Sequence, residues 1–122
     1  MKRILIVDDQ PEVRELIDVT LRIENYDIFH ADNGEKAVAV AKEKKPDVII
    51  MDVMMPGAVD GVEATRRIKA DPATRSCKII MLTAKSQQVD KDLGYSAGAD
   101  DYFCKPFSPL DLIRKVEEVL NS

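Results

Sequence analysis

Residues 48–61 read VIIMDVMMPGAVDG. An unbroken apolar run of the kind that fills a core ends on a carboxylate, Asp52, and then on Met-Met-Pro and a glycine-bearing loop. A carboxylate buried without a partner is very costly, so Asp52 has to stand where a strand leaves the core for a surface. It is placed there, not incidental.

Working outward, short β-branched runs alternate with longer helical patterns along the whole chain, the signature of repeated strand–helix–strand units and a parallel sheet. Strands are predicted at Arg3 to Asp8, Asp27 to Ala31, Asp47 to Asp52, Lys78 to Thr83 and, more weakly, Asp101 to Cys104. The first, third and fourth are continuous apolar runs, as central strands covered on both faces require. Tyr26 to His30 is more mixed and belongs at an edge. Pro11 opens the first helix, with Val13, Leu16, Ile17 and Leu21 at helical spacing. Asp32 and Asn33 precede the second helix, Asp60 precedes the third, and Asp71-Pro72 ends the third. Ser108-Pro109-Leu110-Asp111 starts the last, whose apolar face reads Leu110, Ile113, Val116 and Leu120. The fourth helix offers only Val89 and Leu93 and interrupts itself with Gly94 and Gly98, so it should be locally less stable and easier to move.

At 122 residues the chain fits one domain, 1–122, large enough to bury a core without disulfides. Its 45% hydrophobic and 33% charged residues, with a formal net charge of -4, describe an ordinary, mildly acidic globular composition. No Lys/Arg stripe offsets the 22 acids, so direct nucleic-acid binding is not expected. No apolar run approaches a membrane span, and a cytoplasmic location is expected. Cys77 and Cys104 sit in no CxxC or Cys/His pattern and read as reduced apolar fillers. His30, the only histidine, reads as structural.

Right-handed crossovers bring all strand C-terminal ends to one edge of a parallel sheet, where open α/β sheets bind ligands. At those ends stand Asp8 and Asp9, Asp52, Thr83 and Lys105. Taken singly, each has a bland reading as a cap, a solvated strand end or a surface charge. Five at one edge are harder to explain that way. Three close carboxylates repel one another and need cationic charge. Lys105 supplies one positive charge, and an all-oxygen cluster without His or Cys favours Mg2+ as the other, with Mn2+ as an alternative. Carboxylate, metal, hydroxyl and ammonium around one point are the parts needed to bind and transfer a phosphoryl group.

In ILIVDD, DVIIMDVMMP, IIMLTA and ADDYFCKPF, taken in order and spacing, the whole chain resembles a response regulator receiver domain of bacterial two-component systems, of the chemotaxis-regulator type. The resemblance implies a flavodoxin-like, doubly wound, five-stranded parallel sheet in order 2-1-3-4-5 with five helices. It implies that Asp52 accepts a phosphoryl group from a phosphohistidine on a sensor histidine kinase or histidine phosphotransfer protein. Asp8, Asp9, Asp52 and the Met54 backbone carbonyl would hold the metal, and Thr83 and Lys105 would meet phosphoryl oxygens. Lys105-Pro106 resembles the family's cis bond. Thr83 and Tyr102 would relay the change to a face made by the fourth helix, fifth strand and fifth helix, open to a downstream protein, an output domain or phosphorylation-dependent dimerisation. The chain itself would then be a phosphoacceptor switch rather than a metabolic enzyme, catalysing only its own phosphorylation and slow dephosphorylation.

Two departures stand out. PGAVDG is one residue longer than the family's commoner PxxDG, so the loop beside the metal is expected to differ in shape. Met54 and Lys85, two residues after Asp52 and Thr83, offer no carboxylate to orient a hydrolytic water, which suggests a long-lived phosphoryl state; rapid phosphate loss by the isolated domain with Mg2+ would contradict it. A phosphatase using the same strand end would need an acid where Met54 stands, and a flavin-binding relative would need a phosphate loop where Asp8 and Asp9 would repel the phosphate. A degenerate, purely protein-binding receiver would not be expected to keep all five polar residues.

Overall fold

Three central strands, buried on both faces, organise the molecule. The structure, a computed structural model, describes residues 1–84 and 88–122. The elements run β1 (Arg3–Val7), α1 (Pro11–Leu21), β2 (Asp27–Ala31), α2 (Gly34–Lys44), β3 (Val48–Asp52), α3 (Gly61–Ala70), β4 (Lys78–Ala84), α4 (Gln88–Ala97), β5 (Asp101–Lys105) and α5 (Pro109–Leu120). The strands form one sheet in the order β2-β1-β3-β4-β5, every neighbouring pair parallel. This is the flavodoxin-like, doubly wound arrangement expected from the resemblance.

Alternation along the strands splits the core in two. Leu5, Val7, Ile49, Met51, Ile79 and Met81 pack beneath α2, α3 and α4, whereas Ile4, Ile6, Val48, Ile50, Ile80 and Leu82 pack against α1 and α5. The continuous apolar runs that mark central strands are therefore two interleaved half-patterns, one for each helical layer.

Local sequence sets the helix ends. The Asn33 side chain accepts from the Lys36 amide at 2.8 Å and Asp60 from the Glu63 amide at 2.9 Å, each satisfying an otherwise orphan donor of a first turn. Helix α2 stops at Lys45, whose φ of 48° lies in the left-handed region that costs an L-residue about 1–2 kcal/mol. Replacing it with glycine removes that strain, partly offset by the greater freedom of glycine in the unfolded chain. Lys45→Gly is accordingly expected to raise stability by about 0.5–1 kcal/mol, read as a higher urea midpoint with an unchanged slope.

Several expectations need correction. Leu16 and Leu110 are not on buried faces but are 51% and 54% exposed. Their helices bury Ile17 and Leu21, and Leu112, Val116 and Val119, instead, because each buried stripe is centred on the residues that face the sheet. Ser108 occupies the cap position of α5 but its side chain makes no capping bond. Helix α4 passes through Gly94, and Gly98, with φ of 110°, follows its last residue and ends it. Leu93 is half exposed rather than an anchor; the side chain of Val89 and all of Lys85 lie outside the described residues. Cys77 and Cys104 are free thiols, the first buried. His30 meets the largely buried Asp18 carboxylate, Nε2 to Oδ2, at 2.5 Å and so ties β2 to α1.

Candidate functional site

The C-terminal ends of β1, β3 and β5 deliver their polar residues to one face of the sheet. Asp8 and Asp52 continue the Ile4-Ile6 and Val48-Ile50 rows, and Lys105 continues the row of Phe103, all on the α1–α5 side. Asp8 is fully buried, Asp52 is 4% exposed, and Asp9, one residue beyond, is exposed. The three carboxylates each present an oxygen within 4.8 Å of the others. The Lys105 ammonium lies 3.2 Å from Asp8 Oδ2 and 3.5 Å from Asp52 Oδ2. Its strand leads into the cis Lys105–Pro106 bond.

Backbone groups hold the acids in place. The Gln10 amide donates to Asp8 Oδ1 at 2.9 Å and the Met54 amide to Asp52 Oδ1 at 3.2 Å. The Arg14 guanidinium, one turn into α1, donates to the Asp8 carbonyl at 2.7 Å, a support that sequence reading did not single out. Burial, followed by the neighbouring Asp8 charge, pushes Asp52 up to about 6, although Lys105 and the Met54 amide pull the other way. Among the described residues the cluster therefore carries more negative charge than the Lys105 ammonium can offset at neutral pH.

That shift has a signed consequence. Because the folded-state value lies above the ordinary 3.8, ionised Asp52 costs stability, and the cost grows as pH rises from about 4 through about 6. A divalent cation held by the three carboxylates would relieve it. The donors are all carboxylate oxygens and one of them is solvent-facing, which suits Mg2+ retaining several waters. Mg2+ is expected to raise the melting temperature at pH 7, with 100 times its Kd adding about 2.7 kcal/mol. Below about pH 6 a proton competes for Asp52, and affinity should fall up to about tenfold per pH unit. Calorimetric titration at pH 5 and 7 reads both.

Thr83 lies on the opposite side of the sheet from Asp8, Asp52 and Lys105. It is buried at the end of β4, on the α3–α4 side, and its hydroxyl lies 3.9 Å from Cys104 Sγ. Tyr102 lies on that same side of β5, half buried, with its ring edge-to-face with Tyr95 of α4 at 5.7 Å. Sequence reading missed Cys104 as a neighbour of the site, although its place two residues after Tyr102 fixes its side of the strand. Met54 is exposed. The loop over residues 56–60 is anchored by Val59, which is buried, and turns at Gly57 with φ of 99°.

Known proteins match this chain over nearly its whole length. The family model described as response regulator receiver domain matches residues 4–117. The phosphate regulon transcriptional regulatory protein PhoB of Pseudomonas aeruginosa is 46% identical over 119 residues, covering 98% of this chain and 52% of that protein. The chain thus spans about half the length of the curated relatives it matches. Among solved structures, the Vibrio cholerae chemotaxis protein CheY4 superposes with a TM-score of 0.90 at 32% identity, covering 98% of each chain. The receiver domain of the sensor histidine kinase PA1611 from Pseudomonas aeruginosa, which has a magnesium ion coordinated in its active site cleft, gives 0.90 at 36% identity, covering 99% of this chain and 98% of that one.

Proposed function

Because the chain belongs to the response regulator receiver domain family, we propose that it is a phosphoryl-accepting switch in which Asp52 is the acceptor. One observation carries the reading: a nearly buried carboxylate at the end of a central strand, within 4.8 Å of two further carboxylates and 3.5 Å from an ammonium. Asp8, Asp9 and Asp52, with the Met54 carbonyl, would hold Mg2+, or Mn2+ in its place. When bound, the ion supplies positive charge to the acids and to the incoming phosphoryl oxygens.

The chain's own residues do the rest. A carboxylate oxygen of Asp52 attacks phosphorus on a phosphohistidine, the P–N bond breaks, and the imidazole nitrogen keeps the electron pair. An acyl phosphate remains on Asp52. Lys105, now shared by Asp8 and Asp52, meets one phosphoryl oxygen, and the Thr83 hydroxyl meets another. Withdrawal of Thr83 toward the phosphoryl group leaves space on the α3–α4 side for Tyr102, changing the face formed by α4, β5 and α5. That face is the proposed contact for an output domain or downstream protein, and a sensor histidine kinase or histidine phosphotransfer protein is the proposed donor.

The PhoB relative is a transcriptional regulatory protein about twice as long as this chain. The expectation of no nucleic-acid contact accordingly extends only to the residues present here. None of the described helices is long and apolar enough to cross a membrane, and a cytoplasmic location is proposed. The test is incubation with a small acyl-phosphate donor followed by intact-mass analysis. One added phosphoryl group, absent after chelation of divalent ions, is expected; a folded chain that gains none would leave it a phosphorylation-independent binding module.

A further inference from the structure

The Thr83 hydroxyl already has a neighbour in the resting chain, and that neighbour is a thiol. Strands β4 and β5 pair in parallel with Met81 opposite Tyr102 and Thr83 opposite Cys104. Met81 and Tyr102 belong to the core beneath α3 and α4, whereas Leu82 and Phe103 belong to the opposite one. Alternation therefore puts Thr83 and Cys104 side by side on the α3–α4 side, with Oγ1 3.9 Å from Sγ. Thr83 is 1% exposed, so bulk water does not serve its hydroxyl.

We propose that Cys104 is a positioning residue for the switch: its sulfur retains the Thr83 hydroxyl in the unphosphorylated chain and sets how readily that hydroxyl passes to a phosphoryl oxygen. The inference rests on the phosphoryl-switch reading. Sulfur is a weak hydrogen-bonding partner, sufficient to occupy a buried hydroxyl but readily outcompeted by a charged oxygen. A hydroxyl at position 104 would hold Thr83 harder. A methyl group there would not hold it at all, removing the one partner the hydroxyl has among the described residues and so favouring the loaded state.

Cys104→Thr and Cys104→Val give side chains of nearly the same shape that differ in one hydroxyl. Each is made in the parent and in a Thr83→Val background, and affinity for beryllofluoride with Mg2+, a phosphoryl mimic, is measured by calorimetry. Relative to the parent, Cys104→Val is expected to bind roughly threefold more tightly and Cys104→Thr roughly threefold more weakly, the scale of one modest hydrogen bond. In the Thr83→Val background the two should bind alike. Equal affinities in the parent background would overturn the proposal. So would a difference that survives Thr83→Val, since that would assign Cys104 to packing alone. Should either variant fail to melt cooperatively, the smaller pair Cys104→Ser and Cys104→Ala reads the same contrast. Failure of the parent chain itself to bind the mimic would remove the phosphoryl-switch reading, and this inference with it, a result distinct from all the others.

Discussion

Asp52→Asn is expected to take up no phosphoryl group from any donor and, at the same time, to be more stable than the parent at pH 7. The first effect is all-or-none, because an amide lacks the nucleophilic oxygen that would form the proposed acyl phosphate. The second follows from the charge imbalance. Burial and Asp8 hold the Asp52 carboxyl at about 6 rather than 3.8, so the ionised form is strained at neutral pH. Removing that charge, while Lys105 keeps its 3.2 Å contact with Asp8, is expected to add about 1–3 kcal/mol above pH 6. The gain should vanish near pH 4, where Asp52 is protonated in the parent as well. Urea unfolding at pH 4.5 and 7.5 checks both the size and the sign. A loss of stability at pH 7.5 would mean that Asp52 is held by favourable pairing and not against repulsion. The combination of lost chemistry and gained stability is the mark of a residue retained for function.

Gly61→Ala is expected to cost about 3 kcal/mol or more, although alanine is the better helix former. Gly61 begins α3, and its amide faces the Val53 carbonyl at 3.3 Å. A Cβ there would overlap the Asp52 carbonyl oxygen and lie 2.9 Å from the Asp52 carbonyl carbon and Val53 Cα. All three are backbone atoms, so no side chain can swing aside; either the helix or the end of β3 must shift. Because the displaced segment carries Asp52, Mg2+ affinity and phosphoryl uptake should fall together with the melting temperature. Gly57→Ala is the control. It has a positive φ of 99° but nothing within 4 Å of a new Cβ, so it should cost only about 1 kcal/mol of backbone strain and leave metal affinity nearly unchanged. Equal damage from the two would place the requirement in loop conformation and not in the close approach of α3 to β3.

The contrast between these glycines marks how far sequence reading reaches. Both lie in the stretch that decides the fold, yet only packing distinguishes them. The strands were legible because three-dimensional burial on both faces leaves an unbroken apolar run, and the observed ends differ from expectation by a residue at Asp8, Asp47, Ala84 and Lys105. Asp8, Asp9, Asp52 and Lys105 were legible as a group because parallel topology alone forces strand ends to one edge. Leu16 and Leu110 were misplaced because helical periodicity identifies a stripe without saying which of its flanks the sheet covers. Alternation along β4 gives Thr83 its side of the sheet, but its neighbour Cys104 depends on strand register, which pairs it across 21 residues of sequence. Arg14 on the Asp8 carbonyl, likewise, is a long side chain whose target no spacing rule names.

The most direct test of the central claim is to locate the phosphoryl group. The chain is loaded with a small acyl-phosphate donor and Mg2+, reduced with borohydride, which converts an aspartyl phosphate to homoserine, and sequenced by peptide mass spectrometry. Homoserine at position 52, dependent on the metal and absent at Asp8 and Asp9, is the expected result. Reduction at Asp8 or Asp9 instead, or none at any position in a folded, donor-treated chain, would contradict the assignment of Asp52 as the acceptor.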